Sequence, residues 1–138
     1  MASAAVRADE SDRSHAGILK VVRGDVQVQR KEQKLTAQVG DRLFAGDRVV
    51  TAADAAAGIT LRDDTLMSLG PKSSFVLEGF AFNESSGDGN VAVRLAKGTL
   101  RYVSGLIGKQ APDRQMVNTP TATIGIRGTD FIVEVADE

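Results

Sequence analysis

A chain of 138 residues with 42% hydrophobic content has the size of one ordinary domain, and it needs neither a metal nor disulfides to support a core. Seventeen Lys and Arg stand against eighteen Asp and Glu, interspersed along the chain, which argues against the basic face that a dedicated nucleic-acid binder presents to phosphates. There is no Cys and one His, so thiol chemistry and disulfides are excluded and the common Ser-His and Cys-His pairings have little material.

The first sixteen residues are small, polar and charged and read as a flexible tail, with a single domain expected over residues 17–138. Ala2-Ser3-Ala4 has the small-residue pattern of a signal cleavage site, so the chain is expected to be exported, with its signal peptide missing from this sequence. No apolar run approaches the ~20 residues of a membrane helix, and no membrane insertion is expected.

From Gly17 onward, short apolar runs alternate with turn residues. Val26 and Val28 alternate with Gln27 and Gln29, the period of a strand with one buried face. Residues 48–51, 58–62, 65–69, 74–78, 91–95, 99–103 and 131–135 are further expected strands, rich in β-branched side chains. Gly24-Asp25, Gly40-Asp41, Gly46-Asp47, Asp63-Asp64, Gly70-Pro71 and Gly98-Thr99 sit at their edges as turn formers. Gly-Asp followed by an apolar residue within two positions recurs at Gly24, Gly40 and Gly46, an echo without a fixed period. Residues 80–90 end in a polar hairpin loop, and residues 104–113 hold too much Gly for more than a loop or one helical turn. The pattern predicts an all-β fold of many short strands, a β-roll or β-solenoid, with a β-sandwich as the alternative.

Candidate chemistry is sparse. Ser73 beside Lys72 and Ser104 near Lys109 lack the spacing of an activated nucleophile. The pair Asp63-Asp64 fits a turn cap better than an acid–base couple. Ser86-Gly87-Asp88-Gly89-Asn90 lacks the alternating acidic ligands and closing Glu of a calcium loop. Arg23-Gly24-Asp25 matches an adhesion tripeptide that is common by chance and reads as a turn. Gly125-Ile126-Arg127-Gly128 fits the GXXG loop of nucleic-acid-binding KH domains, but a strand pattern follows it and Pro120 precedes it, where that loop joins two helices. The two glycines still imply a sharp bend that projects Arg127, either toward a partner or toward a carboxylate such as Asp130. No catalytic residue, metal ligand or cofactor is expected.

The closing run from Val117 through Asn118-Thr119-Pro120, Thr121-Ala122-Thr123, Ile124-Gly125-Ile126 and Arg127-Gly128-Thr129 to Asp130-Phe131 closely resembles the signature of the FecR domain. Residues 43–51, with Gly46-Asp47 and Thr51, resemble that family's Gly-Asp element. Residues 59–65 resemble its strand and Asp-Gly turn, with Asp64 where Gly is usual. Residues 95–100 resemble its apolar-x-x-Gly element, and the likeness spans residues 17–135. The resemblance implies a bacterial, extracytoplasmic, β-rich domain. In the best-known members it is the periplasmic part of an inner-membrane regulator that relays siderophore-transporter occupancy to a sigma factor. No transmembrane helix or sigma-binding region stands in this sequence, so a standalone protein or an excised domain is expected. The reading is a periplasmic, non-enzymatic binding or signalling module whose partner is a protein or a cell-wall glycan. A sensor fragment in iron-siderophore signalling and a peptidoglycan-binding domain are its alternatives. Its candidate binding residues are Thr119, Pro120, Arg127, Gly128, Thr129, Asp130 and Phe131.

Overall fold

The computed structural model describes residues 15–126 and 129–136. Arg127 and Gly128 of the expected binding set lie outside the described residues. The described chain is all-β, a continuous path of paired strands curled into an open half-barrel. One half runs in the order β4 (Arg42–Leu43), β1 (Gly17–Arg23), β6 (Ala56–Leu61), β7 (Leu66–Leu69), β9 (Gly89–Val103) and β12 (Asp130–Val135). The other runs β3 (Gln33–Thr36), β2 (Val26–Arg30), β5 (Arg48–Thr51), β8 (Ser74–Phe82), β9, β10 (Gln115–Asn118) and β11 (Thr123–Gly125). The pairings are antiparallel except β9 with β10, which is parallel. Between β9 and β10 lie the short helix α1 (Leu106–Gln110) and a 3-10 turn over Pro112–Arg114.

The apolar alternation read from the sequence is what fills the space between the halves. Val26, Val28 and Val49 face inward from one half, and Ala57, Ile59, Leu61, Met67 and Leu69 from the other. Burying such a side chain stabilises the fold by roughly 1.5–3 kcal/mol. Strands with one buried face have their register fixed, because a slip of one residue would turn that face to water.

Strand β9 belongs to both halves. Its first part pairs with β8 and β10, and its last part with β7 and β12. The sequence predicts two strands here, separated at Gly98. The structure holds one bent strand instead. Gly98 has φ +99, and the β8 pairing shifts register beside it. Val91, Val93 and Leu95 are buried before the bend, and Leu100 and Tyr102 after it. The buried set thus changes from odd to even numbers. That one-residue slip keeps the apolar row in the same core while the strand crosses from one half to the other.

The Gly-Asp echo is a repeated turn at two of its three places. Asp41 N–H donates to Gln38 O and Gln38 N–H to the Asp41 carboxylate; Asp47 N–H donates to Phe44 O and Phe44 N–H to the Asp47 carboxylate. Asp47 is buried and also takes the Arg30 guanidinium through two bonds of 2.9 Å. Gly24-Asp25 makes a different corner, where Asp25 O accepts from Ala52 N–H.

Candidate functional site

The Thr-Pro pair of the closing run is the tip of the β10–β11 hairpin. Pro120 sits at the second turn position, which suits its fixed φ. Thr119 closes the turn: its N–H donates to Ala122 O at 2.8 Å, and its hydroxyl also contacts the Ala122 backbone. The hairpin is tied down at its base. Asn118 Nδ2 donates to Glu78 on β8 at 2.7 Å, and Thr123 Oγ1 donates to Asn118 Oδ1 at 2.8 Å. Glu78 also accepts from Arg94. The bond from Asn118 holds the Glu78 carboxyl below its usual range against the opposing pull of burial, with Arg94 adding to the effect.

Strand β12 belongs to the other half of the sheet. Asp130 there takes a bidentate grip from Arg101 on β9, at 3.1 and 2.7 Å. That hydrogen bonding holds the Asp130 carboxyl below its usual range and raises Arg101. The partner that geometry gives Asp130 is therefore Arg101, 29 residues away in sequence, a contact no local pattern announces. Thr129 contributes its carbonyl, which accepts from Ser104 N–H at 2.9 Å. Phe131 is half-buried and stacks on Tyr102, with ring centroids 5.0 Å apart.

Between β11 and β12 the half-barrel stays open as a seam. A cleft of about 460 Å³ there is lined by residues 124–126 and 131–134. A second cleft of about 700 Å³ adjoins it and shares Ile124, Val133 and Glu134; Thr119, Pro120, Thr121 and Ala122 form its other wall. The described members of the expected set thus divide. Thr119, Pro120 and Phe131 line the clefts, Asp130 lies on the outer face with Arg101, and Thr129 serves the sheet.

Among the other sequence candidates, Asp63 and Ser73 make structural contacts. Asp63 is fully buried; it accepts from Thr65 N–H and Oγ1 and from Ile107 N–H at the start of α1. Ser73 Oγ donates to Gly70 O and accepts from Thr99 N–H. Asn83 Oδ1 accepts from Ser85 and Ser86 N–H and so shapes the β8–β9 hairpin. The sequence reading missed a buried polar set behind the seam. Gln115 Oε1 accepts from Tyr102 OH at 2.9 Å and from Ser104 Oγ at 3.0 Å. Burial, with the Asp63 charge nearby, pushes the Tyr102 hydroxyl above the ordinary phenol range.

The family model described as FecR protein matches residues 47–138 of this chain. The chain belongs to the FecR family. The FecR match takes in the β9 bend, the hairpin and the seam, while β1 to β4 lie ahead of it and complete the same sheet. None of the curated proteins matches the chain. A solved structure described as a cell surface anchoring domain is 28% identical over 44% of this chain and 80% of its own, with a TM-score of 0.42. Among the described residues, no helix is long and apolar enough to cross a membrane.

Proposed function

We propose that this FecR-family chain is a non-enzymatic periplasmic module that works by contact, holding a protein partner at the β11–β12 seam. The observation that carries the reading is the pair of adjoining clefts, which gather Thr119, Pro120 and Phe131 of the family's closing signature on one apolar opening. A concave, mostly apolar surface with a few polar groups at its rim is the usual form of a binding site. Thr129 and Asp130 stand beside it, and Arg127 and Gly128 are assigned to the contact on the signature alone. Family membership supports the location and a role in signalling across the envelope. The repeated crossing of the chain between the two halves supports a β-roll description, with residues 17–138 as one unit.

The absence of Cys makes the test clean. A photo-crosslinker on Thr121→Cys, at the cleft wall, should trap an envelope protein. The same label on Lys34→Cys, on the far edge strand β3, should not. Equal yields from both positions would defeat the reading. Sedimentation with purified cell-wall sacculi, without any protein crosslink, would transfer the site to a glycan.

A further inference from the structure

The edge of β12 is unusual for a sheet that has to remain alone. Ser104 N–H donates to Thr129 O, which makes these two a hydrogen-bonded pair just ahead of the strand. In an antiparallel ladder such pairs alternate. Given the register Phe131–Tyr102 and Val133–Leu100, residues 131, 133 and 135 spend their N–H and C=O groups on β9. Asp130, Ile132 and Glu134 therefore aim theirs away from β9, and among the described residues no strand pairs with that side. The facing strand is open in the same way. Thr119 N–H bonds Ala122 O, so Thr123 and Gly125 of β11 turn their backbone groups away from β10.

Natural sheets blunt such an edge with charged side chains, especially Lys, with Pro or with a bulge, and here only two acids do so. Asp130–Val135 has no Pro or Lys, and its register with β9 is unbroken. It exposes Ile132 at 66%. Its outer row reads acid, apolar, acid. Asp130 is already shared with Arg101, while Glu134 is exposed and carries no ion pair among the described residues. That row disfavours a second copy of this chain. Antiparallel self-pairing with Ile132 opposite Ile132 would set Asp130 against Glu134 twice. A basic strand meets no such repulsion.

We infer that β12 docks an extended segment of a partner protein as an added strand, with apolar side chains at alternate positions and a Lys or Arg facing Glu134. The inference rests on the contact reading and names its mode. Guest side chains opposite Phe131 and Val133 drop into the cleft between β11 and β12, and those opposite Ile132 and Glu134 lie on the outer face. Backbone bonds supply affinity, and the cleft with Glu134 supplies selection.

Residue-resolved hydrogen exchange on the full chain tests this. The probe is a short amidated peptide alternating valine with lysine and threonine. In the free chain, the amides of Phe131, Val133 and Val135 should be protected and those of Asp130, Ile132 and Glu134 should exchange fast. The peptide should slow these last three on the order of tenfold, and its glutamate-for-lysine version should not. Ile132→Pro removes one outward N–H, spares the β9 ladder and should abolish binding. Glu134→Lys should reverse the preference between the two peptides. Absent protection at these three amides, equal binding of both peptides by the unaltered chain, or unchanged binding by Ile132→Pro would overturn strand addition. So would protection that rises with protein concentration alone, the mark of self-pairing. If the Thr121→Cys crosslink persists while the peptide protects nothing, the contact reading stands and strand addition falls. Protection without any crosslink would leave strand addition standing and remove the seam partner.

Discussion

The β6–β7 corner and the β11–β12 seam are each organised by an aspartate, and the two are treated in opposite ways. At the corner, Asp63 is fully buried and each of its contacts is internal. Its carboxylate holds Thr65 and the first turn of α1, its carbonyl accepts from Leu106 N–H, and Thr65 Oγ1 in turn accepts from Gly105 N–H. At the seam, Asp130 lies on the surface, held by one arginine, beside backbone groups and an exposed Ile132 that serve no partner among the described residues. A buried carboxylate is tolerated when its hydrogen-bonding capacity is spent inside the fold. Unspent capacity at the surface is what a contact site needs. The corner is therefore architecture, and the seam is the proposed contact.

The strand that separates the two regions should give the largest effect. A Cβ at position 98 would run into the Ser73 side chain and Cα, and φ +99 strains any L residue. Gly98→Val should cost on the order of 4 kcal/mol, combining backbone strain with overpacking. Chemical denaturation measures it. A loss below about 1 kcal/mol would mean that the bend of β9 relaxes freely, and β9 would not be a rigid divider between the corner and the seam.

Next comes the corner against the seam directly. Asp63→Ala leaves buried donors on Thr65 and Ile107 without their acceptor and should cost about 3 kcal/mol. Asp130→Ala at the exposed pair should leave the thermal midpoint nearly where it was. Thermal unfolding of the two variants side by side checks the contrast, and equal losses would erase it.

How much of this was legible depends on which faces are buried. Strands with one inward row, such as β2, β5 and β7, were readable because Val26 and Val28, or Met67 and Leu69, alternate with solvent-facing residues. Strand β3 was not, because all of Gln33–Thr36 is exposed at the sheet edge and carries no alternation. Strand β10 inverts the pattern. Gln115 is buried and Met116 is 43% exposed, so polarity points the wrong way until the Tyr102 and Ser104 hydroxyls are seen on Gln115. The proposed contact was legible only through its closing-run residues. Thr119, Pro120 and Phe131 stood out in the closing run. The roles of Arg101 and Glu78 depend on register between distant strands, which one sequence does not display.

The smallest expected effect is the acid titration of the two carboxylates that flank the seam, Asp130 and Glu78. The Arg101 hydrogen bonds hold Asp130 below its ordinary value of 3.8, and the Asn118 bond, with Arg94, holds Glu78 below 4.5. A carboxylate depressed in the folded state adds stability that is whole above its unfolded pKa and is lost as pH falls through its folded one. Both contributions should therefore be intact above pH 5 and fade only under stronger acid. They should be slight, since these groups meet solvent. Side-chain NMR titration reads each midpoint directly. Arg101→Gln should return Asp130 to its ordinary range, and molar salt should move it the same way by shrinking the Debye length to about 3 Å. A midpoint at or above 3.8 in the unaltered chain would mean that Arg101 does not hold Asp130 in solution. Asp130 would then be as available as Glu134, and the edge of β12 would offer a basic guest strand two acidic contacts instead of one.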